Sequence, residues 1–461
     1  MSTKEPGAES PRIESRADLV DWIAAGEKPA NDWRIGTEHE KFVFRANDLM
    51  PVAYEGDGGI RALMEAMIAD YGWQPIHEGD TIIALRRASA SAIPETISLE
   101  PGGQFELSGA PLSTLHETCA EAGNHLSECL EIGERLGIGF LGIGFTPTWT
   151  LEQMPTMPKK RYGVMTRYMP QVGSRGHDMM YRTCTIQVNL DFASEADMVK
   201  KLRVSLALQP LATALFASSP FTDGKLNGFK SMRSGVWRDT DPNRTGMLPF
   251  AFEDGMGYER YTDYALDVPM YFVYRGGEYI DVAGASFRQF LEGKLDQLPG
   301  ELPTIDDWSD HLTTLFPEVR LKRFLEMRGA DGGPWRRICG LPAFWVGLLY
   351  DDAALESAWR LVADWTPQER DDLRHQVPEL ALATPFRGGT LRDVAQQVVR
   401  IAADGLKARR RFNSKGDDET MFLDFVEEVV ASGQVPADEL VAKYQKSWGG
   451  DINRIYSEYA F

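Results

Sequence analysis

Cysteine is scarce, with 4 residues in 461 (Cys119, Cys129, Cys184 and Cys339) and no CxxC spacing. That excludes the dense framework of a disulfide-stapled secreted domain and predicts reduced thiols in a cytoplasmic protein. Long apolar runs are also missing. The longest, Ile138 to Phe145 and Leu341 to Tyr350, fall far short of the ~20 residues that span a bilayer, so no membrane partner is expected. Positive charge is in deficit, 49 Lys plus Arg against 68 Asp plus Glu for a formal charge of -19, a poor match to a nucleic-acid backbone. The stretch Met1 to Glu14 has neither a basic nor an apolar leader region, which predicts no signal or transit peptide. No GxxxxGK[ST] occurs, so a nucleotide site in this chain is not a P-loop.

With 43% hydrophobic and 25% charged residues, the chain has the composition of a folded globular protein. Residues 1–15 read as a flexible tail, and residues 16–461 as a single domain, because helices and strands alternate without a low-complexity linker. Apolar residues at three- and four-residue steps predict helices over Gly59 to Tyr71, Leu112 to Leu136, Glu195 to Ala217, Leu355 to Ala363 and Leu391 to Phe412. The segment Thr222 to Pro269, rich in Gly, Asp, Pro, Arg and aromatics, predicts long ordered loops over a site. Strands scattered among helices predict an α+β fold with a mainly antiparallel sheet.

Residues two apart on a strand share a face. In Trp33 to Phe44 this brings Glu38 and Glu40 together; in Gln104 to Ser108 it sets Gln104, Glu106 and Ser108 opposite Phe105 and Leu107, with Glu100 just upstream across Pro101-Gly102-Gly103. Thr185 to Asp191 carries Ile186, Val188 and Leu190 on one face and Thr185, Gln187, Asn189 and Asp191 on the other. Phe324 to Arg328 places Glu326 beside Arg328. A solvated sheet face gives the same alternation. If these strands are neighbours, their carboxylates cannot all stay ionised without counter-charge, and a set of hard oxygen ligands suits Mg2+ or Mn2+.

Cations for such a site occur in Pro158 to Tyr162, Phe229 to Arg238 and Glu326 to Arg337, where guanidinium forks match carboxylates and phosphates. Two motif-like matches are set aside. Gly137 to Gly142 satisfies GxGxxG but follows a predicted helix, the wrong order for a dinucleotide turn. His116, Cys119, His125 and Cys129 point in opposing directions on one helix and do not converge on zinc.

Gly36 to Phe42, Ser98 to Gly109, Arg182 to Phe192, Thr245 to Phe250, Glu326 to Arg337 and Leu341 to Tyr350 together resemble glutamate-cysteine ligases of the plant and alphaproteobacterial type, over a match from about residue 30 to the C-terminus. The resemblance implies the glutamine-synthetase-like carboxylate-amine ligase fold, with a curved antiparallel sheet, and makes residues 16–461 one catalytic domain. It implies ATP-dependent joining of the γ-carboxylate of glutamate to cysteine through a γ-glutamyl phosphate, with small-molecule partners and a monomer or homodimer. By motif it implies Glu38, Glu40, Glu100, Glu106, Gln187 and Glu326 as metal ligands, Arg328 on ATP, and Arg161, Arg233 and Trp237 on glutamate. Arg328 and Arg233 carry the catalytic roles, and Tyr271 helps to form the cysteine pocket. Plant members carry a regulatory cysteine pair where this chain has Val282 and Gln297, so that disulfide cannot form here. A ligase using another amine, or a regulator without turnover, are the competing expectations.

Overall fold

A computed structural model describes residues 10–89, 91 and 93–461. The main sheet is nine-stranded and built from β1 (Ile35–Arg45), β2 (Gln74–Glu78), β3 (Thr81–Arg87), β4 (Glu95–Leu99), β5 (Phe105–Ser108), β6 (Ile138–Leu141), β7 (Thr185–Leu190), β8 (Val319–Leu321) and β9 (Leu325–Asp331). Their spatial order is β8-β9-β7-β1-β5-β4-β3-β2, with β6 paired to the far end of β1, and every pairing is antiparallel. The strands that carry the carboxylates are therefore direct neighbours.

Register turns that adjacency into two chemically opposite faces. Glu38 lies across from Gln187 on β7 and Ser108 on β5, Glu40 across from Glu106, and Glu326 across from Asn189. One residue along, His39 faces Ile186 and Leu107, and Met327 faces Val188. Ile35, Ile186, Val188, Leu190, Leu325 and Met327 are buried in one apolar cluster with the helices Glu195–Phe216, Trp335–Leu349 and Leu391–Arg409. At roughly 1.5–3 kcal/mol for each large side chain removed from water, a one-residue slip of register would forfeit that burial, so the packing fixes which face presents the carboxylates.

Two local irregularities aim side chains. In β9 the register shifts between Met327 and Ala330, leaving Arg328 and Gly329 both opposite Gln187, a bulge that re-aims Arg328. After β4 the chain turns sharply at Glu100: Gly103 adopts φ +83° and its N–H donates to the Glu100 carbonyl at 2.9 Å. A Cβ on Gly102 would lie 2.3 Å from the Tyr181 carbonyl oxygen, so the turn fits only glycine there.

Several expectations are corrected. Thr222 to Pro269 contains the helices Met232–Trp237 and Tyr258–Asp267. The second buries Tyr258, Tyr261, Thr262, Ala265 and Leu266, a helical stripe masked in the sequence because it is built partly from tyrosine and threonine. Of the expected tail, residues 1–9 lie outside the described residues, whereas Ile13 is buried and its N–H donates to the Pro303 carbonyl at 3.0 Å. Gly137, with φ +67°, ends the Leu115–Leu136 helix and turns the chain into β6, which explains its glycine without a dinucleotide.

Candidate active site

The polar face of β1, β5, β7 and β9 floors a cavity of about 120 Å³ lined by Glu38, Glu40, Glu100, Glu106, Gln187, Arg161, Arg233, Trp237 and Arg328. The sequence-predicted residues thus meet in one place, with two exceptions. Tyr271 is not among the lining residues. Its ring packs under the Arg244 guanidinium at 3.8 Å and its hydroxyl donates to the Met169 sulfur at 3.6 Å, while the next residue, Phe272, reaches the cavity. Glu326 is the other, fully buried behind the wall.

The carboxylates are crowded and unequally satisfied. Glu38 accepts from the Asn189 amide at 2.8 Å and Glu40 from the Thr185 N–H at 2.9 Å. Glu106 accepts from the hydroxyls of Ser98 at 3.0 Å and Ser108 at 2.9 Å, the residues opposite it and two along. Glu100 keeps one buried oxygen without a partner among the described residues. Burial pushes the Glu100 carboxyl up to about 8, and Glu106 adds to this against the pull of Lys159 and Arg161. Burial likewise raises Glu40 well above the carboxylate range, reinforced by Glu100 and Glu106, and raises Glu38, reinforced by Glu326 and Glu106. An orphaned buried oxygen amid mutually repelling carboxylates fits a hard divalent cation. Among the described residues, however, no three His, Cys, Asp or Glu side chains already stand where they could hold a metal ion.

The β8–β9 edge of the same sheet is cationic. Arg320 on β8 meets Glu326, its cross-strand partner, at 2.7 Å; Lys322 reaches the same carboxylate at 2.9 Å, and Arg328 also bonds to it. Burial pushes the Glu326 carboxyl up, but these three cations overcome it and hold the group well below the carboxylate range. Arg328 also donates to the Gln187 side-chain oxygen at 2.5 Å. Arg320 and Lys322 line the cavity and were not singled out from sequence, where Val319-Arg320-Leu321-Lys322 resembles any short edge strand.

Arg233 and Trp237 arrive on the short Met232–Trp237 helix, capped by Ser231, whose hydroxyl accepts from the Ser234 N–H at 3.1 Å. The same hydroxyl donates to Asp331 at 2.7 Å, and Asp331 also accepts from Ser218 and Ser219, which ties the helix to the end of β9. Arg161 lies in the first turn of the Lys160–Tyr168 helix, its guanidinium over the Tyr162 ring at 5.3 Å. The Met232–Trp237 helix falls within the segment read as loops in the sequence because it is too short to show a period. Behind the sheet, His125 contacts the Cys129 sulfur at 3.4 Å while His116 packs edge-on to Phe422.

A family described as Glutamate-cysteine ligase family 2 (GCS2) matches residues 34–458. The chain belongs to that family. It is 58% identical over 444 residues to a chloroplastic glutamate-cysteine ligase of Brassica juncea, covering 96% of this chain and 84% of the relative. The corresponding enzyme of Arabidopsis thaliana is 57% identical, with 96% and 82% covered. A solved glutamate-cysteine ligase from Francisella tularensis, in complex with AMP, superposes with a TM-score of 0.52 at 12% identity, covering 94% of this chain and 90% of the other, and shares the fold. The chain is accordingly a ligase with the carboxylate-amine ligase fold, an antiparallel sheet among helices. The cytoplasmic expectation is overturned by relatives named as chloroplastic. Scarce cysteines do not separate one compartment from another.

Proposed function

We propose that the cleft joins the γ-carboxylate of L-glutamate to the amine of L-cysteine at the expense of ATP, through a γ-glutamyl phosphate, releasing γ-glutamylcysteine, ADP and phosphate in the first step of glutathione biosynthesis. The observation that carries this reading is a carboxylate patch beside a cationic sheet edge in one small cavity, in a chain of the glutamate-cysteine ligase family. Residues 16–461 act as one catalytic domain. Arg328, with Arg320 and Lys322, takes the phosphates, because guanidinium and ammonium groups stabilise the charge that spreads over a transferring phosphoryl group. Arg161 and Arg233 take the carboxylates of glutamate, and Trp237 covers its methylenes.

Glu38, Glu40, Glu100, Glu106 and Gln187 would hold Mg2+ or Mn2+, with Glu326 joining if phosphate draws its cations away. When bound, such a cation supplies the positive charge that lets a triphosphate approach a floor of carboxylates. The protein's own contribution is positional: it holds two anions in line, excludes water, and forms no covalent bond to either substrate. The cavity of about 120 Å³ is smaller than the ~300–1,000 Å³ common for ligand sites, so part of a bound ATP extends beyond it.

ADP release by the purified protein, measured with glutamate and ATP and with each amino acid in turn, tests the proposal. Cysteine should stimulate release far above other amines, and release should cease without glutamate or on chelation of divalent cations. Equal rates with and without cysteine would reject the acceptor assignment.

A further inference from the structure

The turn Gly332-Gly333-Pro334 leads out of β9 into the Trp335–Leu349 helix, and beside the first turn of that helix lies a second cavity, of about 560 Å³. The Asp424–Ser432 and Pro436–Gln445 helices and Tyr459 complete its wall, and it shares no lining residue with the active cleft.

Its charged lining groups are mostly satisfied. Arg336 pairs with Glu428 at 2.8 Å, Asp438 with Lys230, and Glu439 accepts from the Tyr459 hydroxyl at 2.6 Å and pairs with Lys443 at 3.2 Å. Arg337 is the exception. It is 6% exposed, its guanidinium makes no hydrogen bond or ion pair among the described residues, and its nitrogens meet solvent only through the cavity. The Phe425 ring lies 5.7 Å away. Burial lowers its pKa to about 10, while Glu439, Tyr459 and Asp331 act on it only through space. A guanidinium this sparsely hydrated and unpaired gains from an anion that enters the cavity to meet it.

Two further features frame the same spot. No side chain caps the Trp335–Leu349 helix, whose N-cap Pro334 lines the cavity, so the positive end of the helix is open towards it. A Cβ on Gly333 would fall 2.4 Å from the Arg337 Cδ, so the arginine stem lies in space that only glycine leaves. We propose that this cavity binds a small molecule through an oxyanion, a phosphate or a carboxylate, held by Arg337 and the first turn of the helix. Its volume exceeds that of a bare ion, which leaves room for an organic remainder beside Val429 and Ala442.

Calorimetric titration of the full chain with inorganic phosphate and, separately, with acetate tests this, using wild type, Arg337→Gln and Arg328→Gln. Binding should persist in Arg328→Gln, which removes a cation of the active cleft, and weaken about tenfold or more in Arg337→Gln, as expected for losing charge-assisted bonds. The tighter of the two probes assigns the anion as phosphate or carboxylate. Should Arg337→Gln fail to fold, Ala442→Trp, which fills the cavity from the Pro436–Gln445 helix, must produce the same loss. Absence of binding by wild type in both titrations, or binding unchanged in the folded cavity variants, overturns the proposal.

Discussion

A terminal amino group of Arg233 donates to the backbone carbonyl of Arg328 at 2.7 Å. The guanidinium proposed for glutamate is thereby built onto the bulge that aims the guanidinium proposed for phosphate, and a main-chain contact fixes the spacing between the two.

Arg233→Lys retains the charge and loses the fork that can bond Arg328 and a carboxylate together. The value of kcat/KM for glutamate should fall about 10- to 100-fold while far-ultraviolet circular dichroism and Tm stay close to wild type. Unaltered steady-state constants would remove Arg233 from the glutamate subsite.

Glu40 is held above the carboxylate range by burial and by Glu100 and Glu106. A group raised in the folded state stabilises fully below its unfolded pKa, and that contribution is lost as pH rises through the folded value. In Glu40→Gln, Tm at pH 8 should match or exceed wild type while ligase turnover falls about 100-fold. Turnover unchanged from wild type would remove Glu40 from the functional carboxylates.

Glu121 provides a pH test away from the cleft. Burial raises its carboxyl to about 8, Glu95 adds to this, and the Ala110 N–H that it accepts at 2.9 Å opposes it. Its stabilising contribution is complete below the ordinary carboxylate range and lost as pH rises through about 8. Urea midpoints of wild type should decline across that window, and Glu121→Gln should flatten the decline; parallel profiles for the two proteins would contradict the shift.

Removing one member of a buried charge cluster strands the rest. Glu326→Gln leaves Arg320, Lys322 and Arg328 facing one another, and the variant should lose roughly 3–5 kcal/mol of unfolding free energy at neutral pH. A midpoint within experimental error of wild type would mean that the cations turn to solvent at no cost.

The carboxylate strands were legible because period-two alternation survives in β1, β5, β7 and β9, where a slip would bury charge in the core under the Trp335–Leu349 helix. Cross-strand partners were less so: Arg320 and Lys322 acquire meaning only from the pairing of β8 with β9. Tyr271 fails by a single residue, since Phe272 turns to the cleft while Tyr271 packs beneath Arg244. The cation-bearing segments at Arg161 and Arg233 form helical turns too brief to leave a periodic signature. Arg337 was visible as one basic residue after Gly332-Gly333, but its solitude depends on helices from the far C-terminal end of the sequence.

Glu326 makes the cleft a contested place. On the proposed reading a triphosphate entering it draws Arg320, Lys322 and Arg328 away from a rival anion already seated beside them, and part of its binding energy goes into that exchange. Without the rival, nucleotide would be gripped more firmly in the ground state. On that reading, how firmly nucleotide is held before reaction rests on one carboxylate that water does not reach.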